Sequence, residues 1–165
     1  MPILWVTEAL FHRACADHGG CFALAVAGGS SMRELQLDRV SPAESEPPVV
    51  RLRCPDGGSF ADHVAALRDL ACSPELAPGI PVLLDVRDVT LLPNPAEAEV
   101  LAGLLANQGV LGRHRVAVVV NAGTQYGVAR MVCTLAELRG ADAKVFTEEP
   151  QALSWLAGAA EIQQE

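Results

Sequence analysis

From Arg33 onward the chain alternates between two hydrophobic periods. Arg33–Val40 (RELQLDRV) and Val49–Cys54 (VVRLRC) alternate apolar with polar residues, which predicts strands. In the second of these, Arg51 and Arg53 share one face, and Val50 and Leu52 the other. The polar, Pro-rich stretch 41–48 (SPAESEPP) between them reads as a connector across which the two strands pair antiparallel. Pro81–Val86 (PVLLDV) and Arg115–Val120 (RVAVVV) are different. They are almost continuously apolar, the signature of strands covered on both faces in a parallel sheet. Ala143–Phe146 (AKVF) predicts a shorter strand.

Between these runs the period becomes helical. Pro55-Asp56-Gly57-Gly58 is a turn, and Ser59 with Asp62 three residues on forms an acidic variant of a capping box. Phe60, Val64, Leu67 and Ala71 make the buried stripe of that helix. A Pro-rich loop, 73–79, ends it. Asn94-Pro95-Ala96-Glu97 opens the next helix, with Asn94 as cap, Pro95 in the first turn and Glu97 completing the box. Val100, Leu101, Leu104 and Leu105 are its expected core face. Residues 121–124 (NAGT) turn into a helix with the stripe Val128, Met131, Val132, Leu135 and Leu138, ended by Gly140. Thr147 is the expected cap of a last helix, with Glu148 and Glu149 at its positive end and Ala152, Trp155, Leu156 and Ala159 facing inward. The pattern predicts an α/β domain. Its central sheet is mostly parallel, with an N-terminal antiparallel hairpin and about four flanking helices.

Residues 1–31 break this order. CFALAVA resembles the core of a secretory signal, but His12, Arg13, Asp17 and His18 stand where a purely basic segment belongs. His12, Cys15, His18 and Cys21 recur every third residue and are zinc-ligand types, yet no longer loop separates pairs of them as in structural zinc sites. The reading favoured here is a disordered or non-native extension, with Met32 as the start of the ordered text. The expected organisation is an extension over 1–31, one domain over 32–157 and a tail over 158–165.

Composition narrows the function. A net charge of −8 argues against nucleic acid as a partner, since phosphate binding requires a concentrated basic surface. No apolar run approaches the roughly 18 residues of a membrane span, which leaves peripheral association through a local basic or apolar face. Five scattered cysteines without a CxxC read as reduced thiols, hence a cytoplasmic protein.

The chemistry-bearing residues are few. Asp85, Arg87 and Asp88 lie at the carboxyl end of a central strand, where open α/β sheets bind ligands. Arg87 offers a fork for an anionic group. The bland alternative is an internal ion pair between Asp85 and Arg130. The turn Gly123-Thr124-Gln125-Tyr126-Gly127 sits where a phosphate loop would, but lacks GxGxxG and the Lys-Ser/Thr pair. Cys54, Cys72 and Cys133 read as small buried hydrophobes, His63 as a helix-surface residue and His114 as a loop residue. There is no GxSxG elbow, and Asp56 and Asp62 read as turn and cap residues.

VLLDVRDV (82–89), RVAVVVNAGTQYGVARM (115–131) and VFTEEPQALSWL (145–156) together resemble the SpoIIAA-like family, part of the wider STAS and SEC14-like group. The resemblance covers about residues 33–157. Its most specific pieces are Asp85-x-Arg87, Tyr126–Met131 and the Phe146…Ala152…Trp155-Leu156 ending. It implies a STAS-like fold and no established enzymatic activity; no cofactor and no metal are expected. It also implies a regulatory, partner-binding role, or in the SpoIIAA-like branch an apolar ligand or a membrane. One departure stands out. The family's phosphorylatable serine turn is replaced here by Leu91-Leu92-Pro93-Asn94-Pro95, so no phosphorylation switch is expected. The expectation is therefore a non-catalytic STAS-like module that binds a protein partner. The alternative is a carrier or sensor of a small apolar or amphiphilic ligand. Asp85, Arg87, Asp88, Thr124, Tyr126 and Arg130 are the contact residues. A cavity between the helices near 95–107 and 124–139 would favour the ligand; a closed core would favour the partner.

Overall fold

The computed structural model describes residues 36–40, 48–106 and 108–158. Expectations for residues 1–31, for 33–35, for the 41–47 connector and for 159–165 lie outside the described residues. Five strands and four helices are described: β1 (Gln36–Val40), β2 (Val49–Arg53), α1 (Phe60–Ala71), β3 (Val82–Asp85), α2 (Pro95–Leu105), β4 (Arg115–Val119), α3 (Thr124–Glu137), β5 (Asp142–Phe146) and α4 (Glu149–Leu156). They form one sheet in the order β1-β2-β3-β4-β5. β2 to β5 run parallel. β1 pairs antiparallel with β2, Gln36 opposite Arg53 and Val40 opposite Val49.

That order decides where the helices go. Parallel strands added in one direction, each through a right-handed crossover, place every linking helix on the same face. α1, α2 and α3 accordingly pack together over Val50, Leu52, Val82, Leu84, Val116 and Val118. α4 follows the last strand, is free of that constraint, and covers the opposite face. There Ala152 and Leu156 meet Val49, Leu83, Ala117 and Val119. The continuous apolar runs in β3 and β4 are explained by this double cover: every β3 residue is buried, Asp85 included.

The helix starts follow their sequence signals. Ser59 and Asp62 form a reciprocal box, as do Asn94 and Glu97 with Pro95 in the first turn. Gly140 takes φ 82°, letting the Ala141 N–H turn back to the Ala136 carbonyl at 3.0 Å and close α3. Three expectations are corrected. Glu148, not Thr147, precedes α4, and no side chain caps it. The inner face of α2 is Ala98, Ala102, Leu104 and Leu105, while Val100 is 45% exposed. In α3, Val132, Cys133 and Ala136 are buried, whereas Met131 is 43% and Leu138 80% exposed. Small residues such as Ala98, Ala102 and Ala136 are buried where the helices approach closely.

Candidate functional site

The carboxyl ends of β2, β3 and β4 carry two arrangements, one on each face of the sheet. On the α4 face, Asp85 is 2% exposed. Its Oδ1 accepts from Arg87 Nε at 2.8 Å and from the Arg87 backbone N–H at 3.3 Å; its Oδ2 accepts from Arg87 Nη2 at 2.7 Å. Arg53, its register partner on β2, reaches Oδ2 at 3.4 Å. Glu149, in the first turn of α4, ties the cluster to that helix. It accepts from Arg87 at 3.0 Å through one oxygen and from Arg51 through the other. Its charge also suits the positive end of α4. Burial pushes the Asp85 carboxyl up. The hydrogen bonds and charge of Arg87, with the charge of Arg53, outweigh that and hold it below the ordinary carboxylate range.

The other face carries a cavity of about 140 Å³. α1 contributes Phe60, His63 and Leu67 to its walls, α2 contributes Leu101 and Leu105, and α3 contributes Gln125, Val128, Ala129, Val132 and Cys133. Cys54, Leu84, Val118 and Val120 form its sheet side, and the loop after β3 supplies Val86, Val89, Leu91, Leu92 and Pro93. Leu91 and Leu92 are 47% and 40% exposed, so the cavity opens at that loop. The loop is pinned from the start of α3. Gln125 Nε2 donates to the Val86 and Val89 carbonyls at 2.7 and 2.9 Å. Asn121 Nδ2 donates to the Arg87 carbonyl at 2.6 Å, and Gln125 Oε1 accepts from the Asn121 N–H at 2.6 Å. Thr90 Oγ1 donates to Asp56 Oδ1 at 2.8 Å.

A solved structure with a SpoIIAA-like fold is similar to this chain. It is an uncharacterised protein of the DUF3478 family from Shewanella loihica PV-4, 16% identical, with a TM-score of 0.44. The similarity covers 78% of this chain and 98% of that one. No family model matches the chain, and no curated protein matches it.

Of the six residues singled out from the sequence, the fold joins Asp85 and Arg87. Asp88 is exposed nearby, Thr124 is exposed at the start of α3, and Tyr126 is half-buried against the larger core. Arg130 is exposed on α3 and makes no hydrogen bond or ion pair with a described residue. The expected Asp85–Arg130 pair is corrected: Asp85 pairs with Arg87 and Arg53. None of the six lines the cavity. Helix phase is the reason. Gln125, Val128, Ala129 and Val132 follow the i, i+3, i+4, i+7 rule and face inward, which turns Thr124 and Arg130 outward. That signal is present in the sequence as the apolar spacing of Val128, Ala129 and Val132. Arg51, Arg53 and Glu149 were missed as partners because only strand register and the docking of α4 bring them to Asp85.

Further corrections concern single residues. His63 is half-buried in the cavity wall and not simply on a helix surface. Cys72 is exposed at the end of α1. Cys54 and Cys133 are buried as expected. Burial, helped by Asp85, pushes the Cys54 thiol up to about 11; burial, helped by Glu137, pushes Cys133 up to about 12. Both are poor nucleophiles in that state. Among the described residues no cluster of His, Cys, Asp or Glu could hold a metal, and no helix is long and apolar enough to cross a membrane.

Proposed function

We propose that the chain is a non-catalytic, STAS-like module of the SpoIIAA-like kind, closed at one edge by a β1–β2 hairpin, and that it carries or senses a small apolar ligand. The observation behind this reading is the apolar cavity between α1, α2, α3 and the sheet, open beside Leu91 and Leu92. Apolar cavities of about 150 Å³ take up benzene-sized molecules, so the size suits one ring or a short branched chain. The motifs shared with the family support the module. Asp85-x-Arg87 ends β3, Tyr126–Met131 lies in α3, and the rings of Phe146 and Trp155 meet at 5.6 Å between β5 and α4.

The cytoplasm is the proposed compartment, and nucleic acid is not a proposed partner. The exposed leucines at the mouth favour peripheral contact with an apolar surface. Asp88, Thr124 and Arg130 are proposed contacts for a protein partner or an amphiphile's head at the same edge. Asp85, Arg87 and Tyr126 are proposed to support that edge from within. A protein-binding regulatory module is the second reading, favoured by the exposed Met131 and Leu138 on α3.

Titration with toluene, followed by amide chemical shifts, separates the two. Binding should shift the cavity wall and be abolished by Ala129→Phe, which fills the space. Shifts confined to the α4 face, or binding unchanged in Ala129→Phe, would refute the cavity reading.

A further inference from the structure

Resting on that reading, we infer that His63 is the polar anchor of the cavity, and that the ligand is a small apolar molecule carrying one hydrogen-bonding group. The cavity wall is almost entirely carbon. Its polar side chains among the described residues are His63, Gln125 and the thiols of Cys54 and Cys133. Gln125 is already engaged: its amide N–H groups go to the Val86 and Val89 carbonyls and its oxygen to Asn121. The thiols are weak hydrogen-bonding groups that burial keeps protonated.

His63 differs. Its backbone N–H continues α1 through the Ser59 carbonyl, while its imidazole has no hydrogen bond to any described residue. Asp62, the neighbouring carboxylate, is engaged by the Ser59 cap. A half-buried imidazole in an almost all-carbon wall, with no hydrogen bond to a described residue, keeps hydrogen-bonding capacity that a ligand in the cavity can use. Neutral imidazole both donates and accepts, so a hydroxyl, carbonyl or carboxyl would serve. A ligand of that class places its ring or chain against Leu67, Leu105 and Val132 and its polar atom at His63. A pure hydrocarbon leaves the imidazole unpaired.

The test compares toluene with phenol, two probes of nearly one size that differ in a hydroxyl. Both are titrated by chemical shift into the full-length protein and into His63→Leu and His63→Gln, each confirmed to be folded. The inference expects the ratio of phenol to toluene affinity to fall about threefold to tenfold in His63→Leu, the worth of one hydrogen bond. Toluene affinity should be kept or improved, and His63→Gln should restore part of the ratio. Toluene binding with an unchanged ratio in both variants overturns this inference and leaves the cavity reading standing. Failure of both probes to bind the wild-type protein overturns the cavity reading and the inference with it.

Discussion

The two faces of the sheet solve the same covering problem differently. Three helices lie over one face and bury a large aliphatic cluster, yet they leave a space at the carboxyl ends of the strands. Among the described residues, one helix of eight residues lies over the other face, too short to cover five strands, and charges stand beside it. Arg51, Arg53, Asp85, Arg87 and Glu149 occupy that second face, each in an ion pair with another, although the buried Arg51 Nε has no hydrogen bond to a described residue. Arg115 does similar service at the far end of the same face, with its guanidinium 4.2 Å from the centre of the Trp155 ring and a bond to the Trp155 carbonyl. Residue chemistry at this sheet edge thus runs opposite to intuition. The charges at the strand ends pair with one another, and the apolar face is where space is available.

The comparison is sharpest where like residues stand on the two faces. Leu83→Ala, on the closed α4 face, should cost about 4 kcal/mol, and Leu67→Ala, in the cavity wall, about 2 kcal/mol. A side chain facing an existing void has fewer contacts to lose. Urea titrations check this, and equal losses would mean that the cavity is filled or closed in solution. Trp155→Ala should cost about 3 kcal/mol, at the low end for aromatic truncation because the ring is half-buried. A loss under about 1 kcal/mol would mean that Trp155 does not anchor α4.

Asp85→Asn should cost about 2 kcal/mol, less than breaking a fully buried pair, since Arg53 and Arg87 keep access to water. It should also flatten the acid limb of stability. The folded-state value of Asp85 lies below its unfolded value. Its contribution is therefore complete above the ordinary carboxylate value of about 4 and is lost as pH falls through the depressed one. Urea midpoints from pH 6 to pH 2 should show a shallower decline in Asp85→Asn than in the wild type. An identical decline would place the acid sensitivity elsewhere. The smallest effect is chemical. At pH 8, iodoacetamide should modify Cys72 well before Cys54 or Cys133, whose thiols are buried and raised to about 11 and about 12. Peptide mass mapping reads the order, and early labelling of Cys54 would show that the cavity admits the reagent.

The parallel strands, the four helices and the caps of α1 and α2 were legible in the sequence because their causes are local. Alternation and apolar runs mark the strands, Ser59–Asp62 and Asn94–Glu97 mark helix starts, and Gly140 marks an end. These depend on neighbours within four residues, so the order of residues alone determines them. Single positions on the helices were less legible. Met131 and Leu138 belong to an apolar series that helix phase leaves partly outside, and Ala98 and Ala136 are buried because two helices approach closely, which no local pattern reports. The partners of Asp85 depended on strand register and on the docking of α4. The cavity depended on three helices failing to meet over Leu84 and Val118, a property of packing between segments distant in sequence. Local hydrogen bonding and hydrophobic periodicity are written residue by residue along the chain; space between elements exists only once they are brought together.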